Sequence, residues 1–194
     1  MNLYPKAYFN NIREIDIEFL KNNKIKGIIL DVDNTLINYY KQFEKGTEQW
    51  INIMKQHGIK LFIVSNSNKV NKVKNVSEKL ELPYIYFAKK PLKSGFLKAQ
   101  KEMKLKNENI AAVGDQIFTD IIGANRCKMF SILVKPIEEK DILITKIKRP
   151  IENIIIKKYL QRIEEVKSEN VHKWYSYINI YWNRTYRTTY RSIC

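Results

Sequence analysis

Five short apolar runs punctuate the chain, and most are followed by a polar turn and a segment with helical spacing. Gly27 to Leu30, Ile59 to Val64, Pro83 to Phe87, Ile110 to Val113 and Met129 to Val134 read as strands, and the apolar runs among them suit burial on both faces. After the first run, Trp50, Ile51, Ile53 and Met54 recur at helical spacing behind a cap expected at Thr47, and His57-Gly58 closes that helix. Val70, Val73, Val76 and Leu80 mark a second helix with Asn68 as candidate cap. Phe96, Leu97 and Met103 mark a third, and Ile121 to Asn125 a short fourth. This alternation of strand and helix predicts an α/β fold, an open parallel sheet of about five strands with helices on both faces.

The flanks read differently. Met1 to Lys24 sets Leu3, Tyr4, Tyr8, Phe9, Ile12, Ile15, Ile17, Phe19 and Leu20 among basic residues, and Asp16 is placed to cap a short helix through Leu20. The segment reads as a lid over one sheet edge, or more sharply as a basic, aromatic stretch touching a membrane surface. From 151 to 166, Ile154, Ile155, Tyr159, Leu160 and Ile163 make the stripe of an amphipathic helix. Beyond Glu169, Trp174, Tyr175, Tyr177, Tyr181, Trp182, Tyr186 and Tyr190 crowd together with Arg184, Arg187 and Arg191, and no acid remains. The expected organisation is a domain at 1–167 and an aromatic, basic tail at 168–194. The tail is either a membrane-contacting extension or the product of a shifted reading frame.

Length and charge narrow the picture only a little. A chain of 194 residues is long enough for one domain with a sizeable core. No apolar run approaches the roughly 20 residues that span a bilayer, and the first residues lack the apolar stretch of a signal peptide, so a cytoplasmic location, with peripheral membrane contact as a variant, is expected. Cys127 and Cys194 are too few for a disulfide framework and have no metal-ligand spacing. The net charge of +15 is spread along the chain and favours anionic partners in general. With no P-loop, dinucleotide fingerprint or RNA-recognition motif, no specific nucleic-acid partner is expected.

Candidate chemistry gathers at the strand ends. The run Gly27 to Leu30 leads into Asp31-Val32-Asp33-Asn34-Thr35, where alternation lets both carboxylates face one way while Val32 turns into the core. Open parallel sheets bind ligands beyond the carboxyl ends of their strands. Ser65-Asn66 follows the second strand, Lys89-Lys90-Pro91 follows the third, and Gly114-Asp115 with Asp120 follows the fourth. Taken singly, Ser65 and Gly114-Asp115 are ordinary turn residues and Lys90 an ordinary surface lysine; their order is the signal.

That ordered set resembles the haloacid dehalogenase superfamily of phosphohydrolases, and its blocks are most similar to subfamily IIIA, the YqeG-like group related to the mitochondrial phosphatidylglycerophosphatases. The matching blocks are Ile28 to Leu36, Ile63 to Asn66, Lys89 to Pro91, Val113 to Asp120 and Ile132 to Pro136, and the likeness extends over roughly Leu3 to Tyr159. The resemblance implies a Rossmann-like, HAD-like fold and a Mg²⁺-dependent phosphatase. Asp31 would be the nucleophile and Asp33 the acid and base. Ser65, with the backbone N–H groups of Val32 to Asn34 and Asn66, would hold the phosphoryl oxygens, and Thr35 belongs to the same substrate-binding loop. Lys90, or its neighbour Lys89, would offset charge. The metal would lie on Asp31, Asp115 and the backbone carbonyl of Asp33, with Asp120 holding a metal-bound water or orienting Lys90.

The spans from Asp31 to Ser65 and from Ser65 to Lys90 leave no room for an inserted cap domain, so the site should be open. An open site suits a phosphate carried on something large. On the resemblance, phosphatidylglycerophosphate in a membrane is the leading substrate. The alternatives are a nucleotide, a sugar phosphate or a phosphoprotein, and, in a different class, a non-catalytic module that binds RNA through its basic surface.

Overall fold

The computed structural model describes residues 2–138 and 150–165, and the chain divides into two compact units, Met1–Glu152 and Asn153–Cys194. The first unit holds a parallel sheet of β1 (Ala7–Phe9), β2 (Gly27–Leu30), β3 (Lys60–Val64), β4 (Tyr84–Ile85), β5 (Ile110–Gly114) and β6 (Phe130–Val134), in the order β1-β6-β5-β2-β3-β4. Its α-helices are α1 (Ile17–Asn22), α2 (Thr47–Gln56), α3 (Val70–Leu80), α4 (Lys93–Met103) and α5 (Ile122–Arg126). Residues 150–165 are helical, as their periodicity predicts. The predicted tail at 168–194 lies outside the described residues.

Alternation along the strands sends side chains to two cores. Ile28 and Leu30 of β2, Leu61 and Ile63 of β3, and Ala111 and Val113 of β5 pack with Leu20 of α1, Trp50, Ile51 and Met54 of α2, and Val73, Val76 and Leu80 of α3. Ile29, Phe62, Val64, Ile110 and Ala112 point the other way, onto Phe96, Ala99 and Met103 of α4 and Ala124 of α5. Strands buried on both faces need continuous apolar runs, which is why they stood out in the sequence. From β2 the chain winds outward through β3 to β4, then crosses back to β5 and β6. The strand order therefore reverses between β2 and β5, the place where such sheets open a crevice.

The structure adds detail to the sequence reading of the N-terminal segment. The sheet has a sixth strand: β1 pairs with the outer edge of β6, Ala7 opposite Ile132 and Phe9 opposite Val134. A three-residue, half-buried edge strand carries too little pattern to stand out. The segment does cover that edge, and Asp16 caps α1 by accepting the Phe19 N–H at 2.7 Å. Ile12, Ile15 and Leu20, however, are fully buried, and the Trp50 indole N–H is bonded to Ile15 O at 2.8 Å. Three of the apolar side chains that suggested membrane contact, Ile12, Ile15 and Leu20, are thus part of the core.

Neither predicted polar cap of α2 or α3 forms. Gly46, left-handed at φ +89°, precedes α2, and Thr47 is its first helical residue with a hydroxyl that caps nothing. Lys69 stands at the start of α3, and Ser67 Oγ accepts its N–H at 3.2 Å in place of Asn68. Side-chain capping contributes only about 1 kcal/mol, so tertiary packing of the helix face sets these boundaries.

The α4–α5 contact is tight enough to test. A Cβ at Gly123 would lie 2.3 Å from the Phe96 ring, and Phe96 is 1% exposed. Gly123→Val should destabilise the protein by about 2 kcal/mol through overpacking, measured as a lowered urea midpoint with an unchanged slope. An unshifted midpoint would mean the interface yields freely.

Candidate active site

The site forms where four segments end side by side. Asp31 directly follows central strand β2, and its N–H still donates to Val113 O of β5 at 3.0 Å. Asp115 follows β5, and Ser65 follows β3. Ser65 is fully buried; its N–H donates to Ile85 O and its carbonyl accepts the Ala88 N–H, both at 2.9 Å. Lys90 arrives on the loop after β4, where Asn66 holds it with both ends of its amide. Asn66 Oδ1 accepts the Lys90 N–H at 2.6 Å, and Asn66 Nδ2 donates to Lys90 O at 3.0 Å.

Asp120 is delivered by a π-helical turn, Ile117–Ile121, a local widening often found at functional sites. The turn folds the carboxylate back over Gly114, where any Cβ would lie 2.3 Å from Asp120 Cγ. Glycine at 114 is therefore required by the close approach. Glu152 holds the same turn from outside, its Oε1 accepting the Phe118 N–H at 3.1 Å.

These segments converge on one ammonium group. Lys90 Nζ lies 2.5 Å from Asp31 Oδ1 and 2.6 Å from Asp120 Oδ1. Carboxylate oxygens of Asp31, Asp115 and Asp120 all lie within 4.8 Å of one another, and all three residues are buried. The second Asp120 oxygen accepts from Thr119 Oγ1 at 3.1 Å and from the Gln116 N–H at 3.3 Å. Thr35 Oγ1 reaches Asp115 Oδ1 at 3.5 Å. Asp33 stands apart: Lys72 Nζ contacts its two oxygens at 2.5 and 2.6 Å, and its side chain is 41% exposed.

Burial has the largest effect on Asp31 and raises its pKa. Lys90 opposes the rise, Asp120 and Asp33 add to it, and the carboxyl is pushed from 3.8 up to about 7. Burial alone would lower Lys90, but Asp120 and Asp31 outweigh it and hold the ammonium above its ordinary range. When all are ionised, Asp31, Asp33, Asp115 and Asp120 face Lys90 and Lys72, an excess of two negative charges. Like charges about 4 Å apart repel by ~4 kcal/mol at an effective dielectric near 20. A hard divalent cation held by the three buried carboxylates would remove that repulsion, and their oxygen donors suit it.

Of the two adjacent lysines, Lys90 lies in the acid cluster, whereas the exposed ammonium of Lys89 lies over the Phe87 ring at 5.1 Å. Asp31, Ser65, Lys90, Asp115, Asp120 and Thr35 lie at the same end of the sheet, and Asp120 is ion-paired with Lys90. Other residues have distinct surroundings. The Asp33 carboxylate is outside the group of three, which leaves only its backbone carbonyl as a metal candidate. The Asn66 side chain is committed to Lys90, and the Asn34 N–H donates to Ile37 O at 2.8 Å and so is taken from the expected phosphate cradle. Lys72 and Glu152 escaped sequence reasoning. A signal for Lys72 existed, because the first turn of the helix after β3 begins beside the end of β2.

The chain is similar to known proteins. Residues 1–138 match the family model described as mitochondrial PGP phosphatase. The chain belongs to that family. It is 41% identical over 153 residues to the probable phosphatase YqeG of Bacillus subtilis (strain 168), covering 78% of this chain and 88% of the relative. It is 24% identical over 171 residues to phosphatidylglycerophosphate phosphatase 1, chloroplastic/mitochondrial, of Arabidopsis thaliana, covering 81% of this chain and 48% of that one. A solved structure of an uncharacterized protein from Listeria monocytogenes serotype 4b aligns with a TM-score of 0.49 at 19% identity, over 61% of this chain and 86% of the other. Family membership and the site together make the chain a phosphatase.

The Asp31 shift gives a pH-dependent expectation. A carboxyl raised on folding favours the native state below its unfolded value of 3.8, and that stability is lost as pH climbs through about 7. A cation bound to ionised carboxylates should restore it. Mg²⁺ should therefore raise the melting temperature more at about pH 8 than at about pH 5, measured by thermal shift against EDTA. Equal shifts at both would contradict the assignment of the cation to this cluster.

Proposed function

We propose that this phosphatase hydrolyses phosphate monoesters through an aspartyl-phosphate on Asp31, with Mg²⁺ as cofactor and phosphatidylglycerophosphate at a membrane surface as substrate. The observation that carries the reading is the buried Lys90 ammonium shared by Asp31 and Asp120 beside Asp115. It gives a nucleophilic carboxylate fixed at a strand end, with positive charge where an anionic ester must approach.

Asp31, Asp115 and Asp120 would hold the cation, which, when bound, would neutralise charge on the phosphoryl oxygens. Asp31 attacks phosphorus and its new P–O bond replaces the bond to the leaving alcohol. Asp33 gives that alcohol oxygen a proton. Asp33, now a carboxylate, then takes a proton from the water that attacks the aspartyl-phosphate; the P–O bond to Asp31 breaks and inorganic phosphate leaves. Lys90 offsets charge on Asp31 and the phosphoryl group, and Ser65 and Thr35 border the phosphate. The half-exposed setting of Asp33 suits a group that must exchange protons with both alcohol and water.

Two features favour a lipid substrate over a soluble one, beyond the names of the family and of the Arabidopsis relative. Only α2, α3 and their loops and short strands fill the spans on either side of Ser65, so no inserted domain encloses the substrate. The loops after β2 and β4, at the site's end of the sheet, expose Tyr39, Tyr40, Tyr86, Phe87 and Leu92, between 47% and 62%, with Lys41 and Lys89 among them. Aromatic rings with lysines suit the interface of an anionic bilayer. Among the described residues no helix is long and apolar enough to cross a membrane, so the proposed contact is peripheral.

Asp31→Asn should reduce turnover about a thousandfold or more, because a neutral amide of the same size cannot form the acyl phosphate, while the melting temperature holds or rises. Steady-state assays beside thermal unfolding check both; turnover within tenfold of the parent would end the mechanism. Phosphatidylglycerophosphate in anionic vesicles should be hydrolysed faster than nucleotides or sugar phosphates at equal concentration. Faster hydrolysis of a soluble ester would reject the lipid assignment and leave the phosphatase reading in place.

A further inference from the structure

Asp120 reaches the site on a backbone that needs outside support. In the turn Ile117–Ile121 the Ile121 N–H returns to Gln116 O at 3.3 Å, and the Asp120 N–H reaches the same oxygen at 3.0 Å. A π-helical turn is rare in itself. Relaxation to an α turn would drop one residue from it and rotate Asp120 by about 100° around the helix axis, away from Lys90 and from the carboxylates of Asp31 and Asp115.

The first N–H groups of a helical turn have no partner within it, and two carboxylates supply partners here. Asp120 Oδ2 turns back to accept the Gln116 N–H at 3.3 Å, a bond internal to the turn that moves with it. Glu152 Oε1 accepts the Phe118 N–H at 3.1 Å and so ties the turn to a residue 34 positions further on. Gly114 and Lys90 act on the Asp120 side chain, the one by leaving it space and the other by meeting its Oδ1; Glu152 acts on the backbone that aims it. Glu152 is 1% exposed, which leaves water little access to the bond. It lies in the helical stretch 150–165 and beyond the residues 1–138 that match the family model.

We infer that Glu152 is a positioning residue for the metal site: its hold on the Phe118 N–H keeps the turn wide, keeps the Asp120 carboxylate facing Asp31 and Asp115, and thereby sets the affinity for Mg²⁺. The inference rests on the proposed reading in which these three carboxylates hold that ion. Partners that orient a metal ligand from behind change metal affinity by roughly ten- to a hundredfold when they are removed. The role asks for an oxygen acceptor at the right reach and makes no use of the glutamate charge. An amide oxygen on a chain of the same length serves equally, whereas a carboxylate one methylene shorter falls short of the Phe118 N–H.

The test titrates Mg²⁺ into the full chain by calorimetry, with the parent, Glu152→Ala, Glu152→Asp and Glu152→Gln. The dissociation constant should rise about tenfold or more in Glu152→Ala and Glu152→Asp and stay within about threefold of the parent in Glu152→Gln. Damage to the fold alone would lower the fraction of chains that bind, read as stoichiometry, and leave the dissociation constant of the folded chains unchanged. Glu152→Asp, which keeps the buried charge, carries the test if Glu152→Ala does not fold. In assays with a soluble monoester, the Mg²⁺ concentration for half-maximal rate should rise in step with the dissociation constant, while kcat at saturating Mg²⁺ and the KM for the ester hold. An unchanged dissociation constant in Glu152→Asp, or a rise in Glu152→Gln equal to that in Glu152→Asp, overturns the inference, because the first makes the contact dispensable and the second leaves only the charge at work. If the parent itself binds no Mg²⁺, the metal reading fails and the inference falls with it; if the parent binds and Glu152→Asp matches it, the inference fails alone.

Discussion

The site depends on one buried cation held between two buried carboxylates. Lys90 is 6% exposed and Asp120 3%, so water screens their attraction poorly, and an uncompensated charge there would be costly. Replace the lysine by an apolar chain and three carboxylates face one another with no counter-charge among them. This constraint accounts for otherwise unconnected details: Asn66 commits both ends of its amide to the Lys90 backbone, Gly114 gives up its side chain to the Asp120 carboxylate, and the turn carrying Asp120 is widened to a π-helical one.

The sheet converts that local balance into a fixed geometry. β2 and β5 are hydrogen-bonded neighbours, with Leu30 opposite Val113, so the acids that follow them must emerge side by side. Each strand is locked by packing on both faces, and the carboxylates cannot relax their repulsion by backing away. A rigid scaffold of this kind holds charged groups in an arrangement that a flexible loop would lose, and the cost is borne by the burial of two cores.

How much of this was legible in the sequence follows from the same physics. The strands were readable because burial on two faces demands unbroken apolar runs, and the acids were readable because such runs have no reason to end in charge repeatedly. Strand β1 was not, since its half-buried edge position imposes no strict pattern. Thr47 and Asn68 misled because a cap contributes about 1 kcal/mol and packing overrides it. The choice between Lys89 and Lys90 could not be made from two adjacent identical residues; it took the backbone, which is left-handed at Lys89 (φ +55°) and sends one side chain out to Phe87 and the other inward. Lys72 is 39 residues from Asp33, and only the placement of α3 brings them together.

The two acids of Asp31-Val32-Asp33 illustrate how position relative to a strand end divides their surroundings. Alternation suggested that they share a direction, and Val32 is indeed buried between them in the core. The strand, however, finishes at Leu30, and a left-handed Asn34 (φ +58°) turns the chain. Asp31 keeps a strand hydrogen bond and is enclosed; Asp33, two residues on, has left the sheet and meets Lys72 near solvent. Two chemically identical side chains thereby differ in burial, partner and access to water, which is the condition the proposed mechanism sets, with Asp31 fixed against phosphorus and Asp33 moving protons. No further residue type is needed for that division, because the end of the strand supplies it.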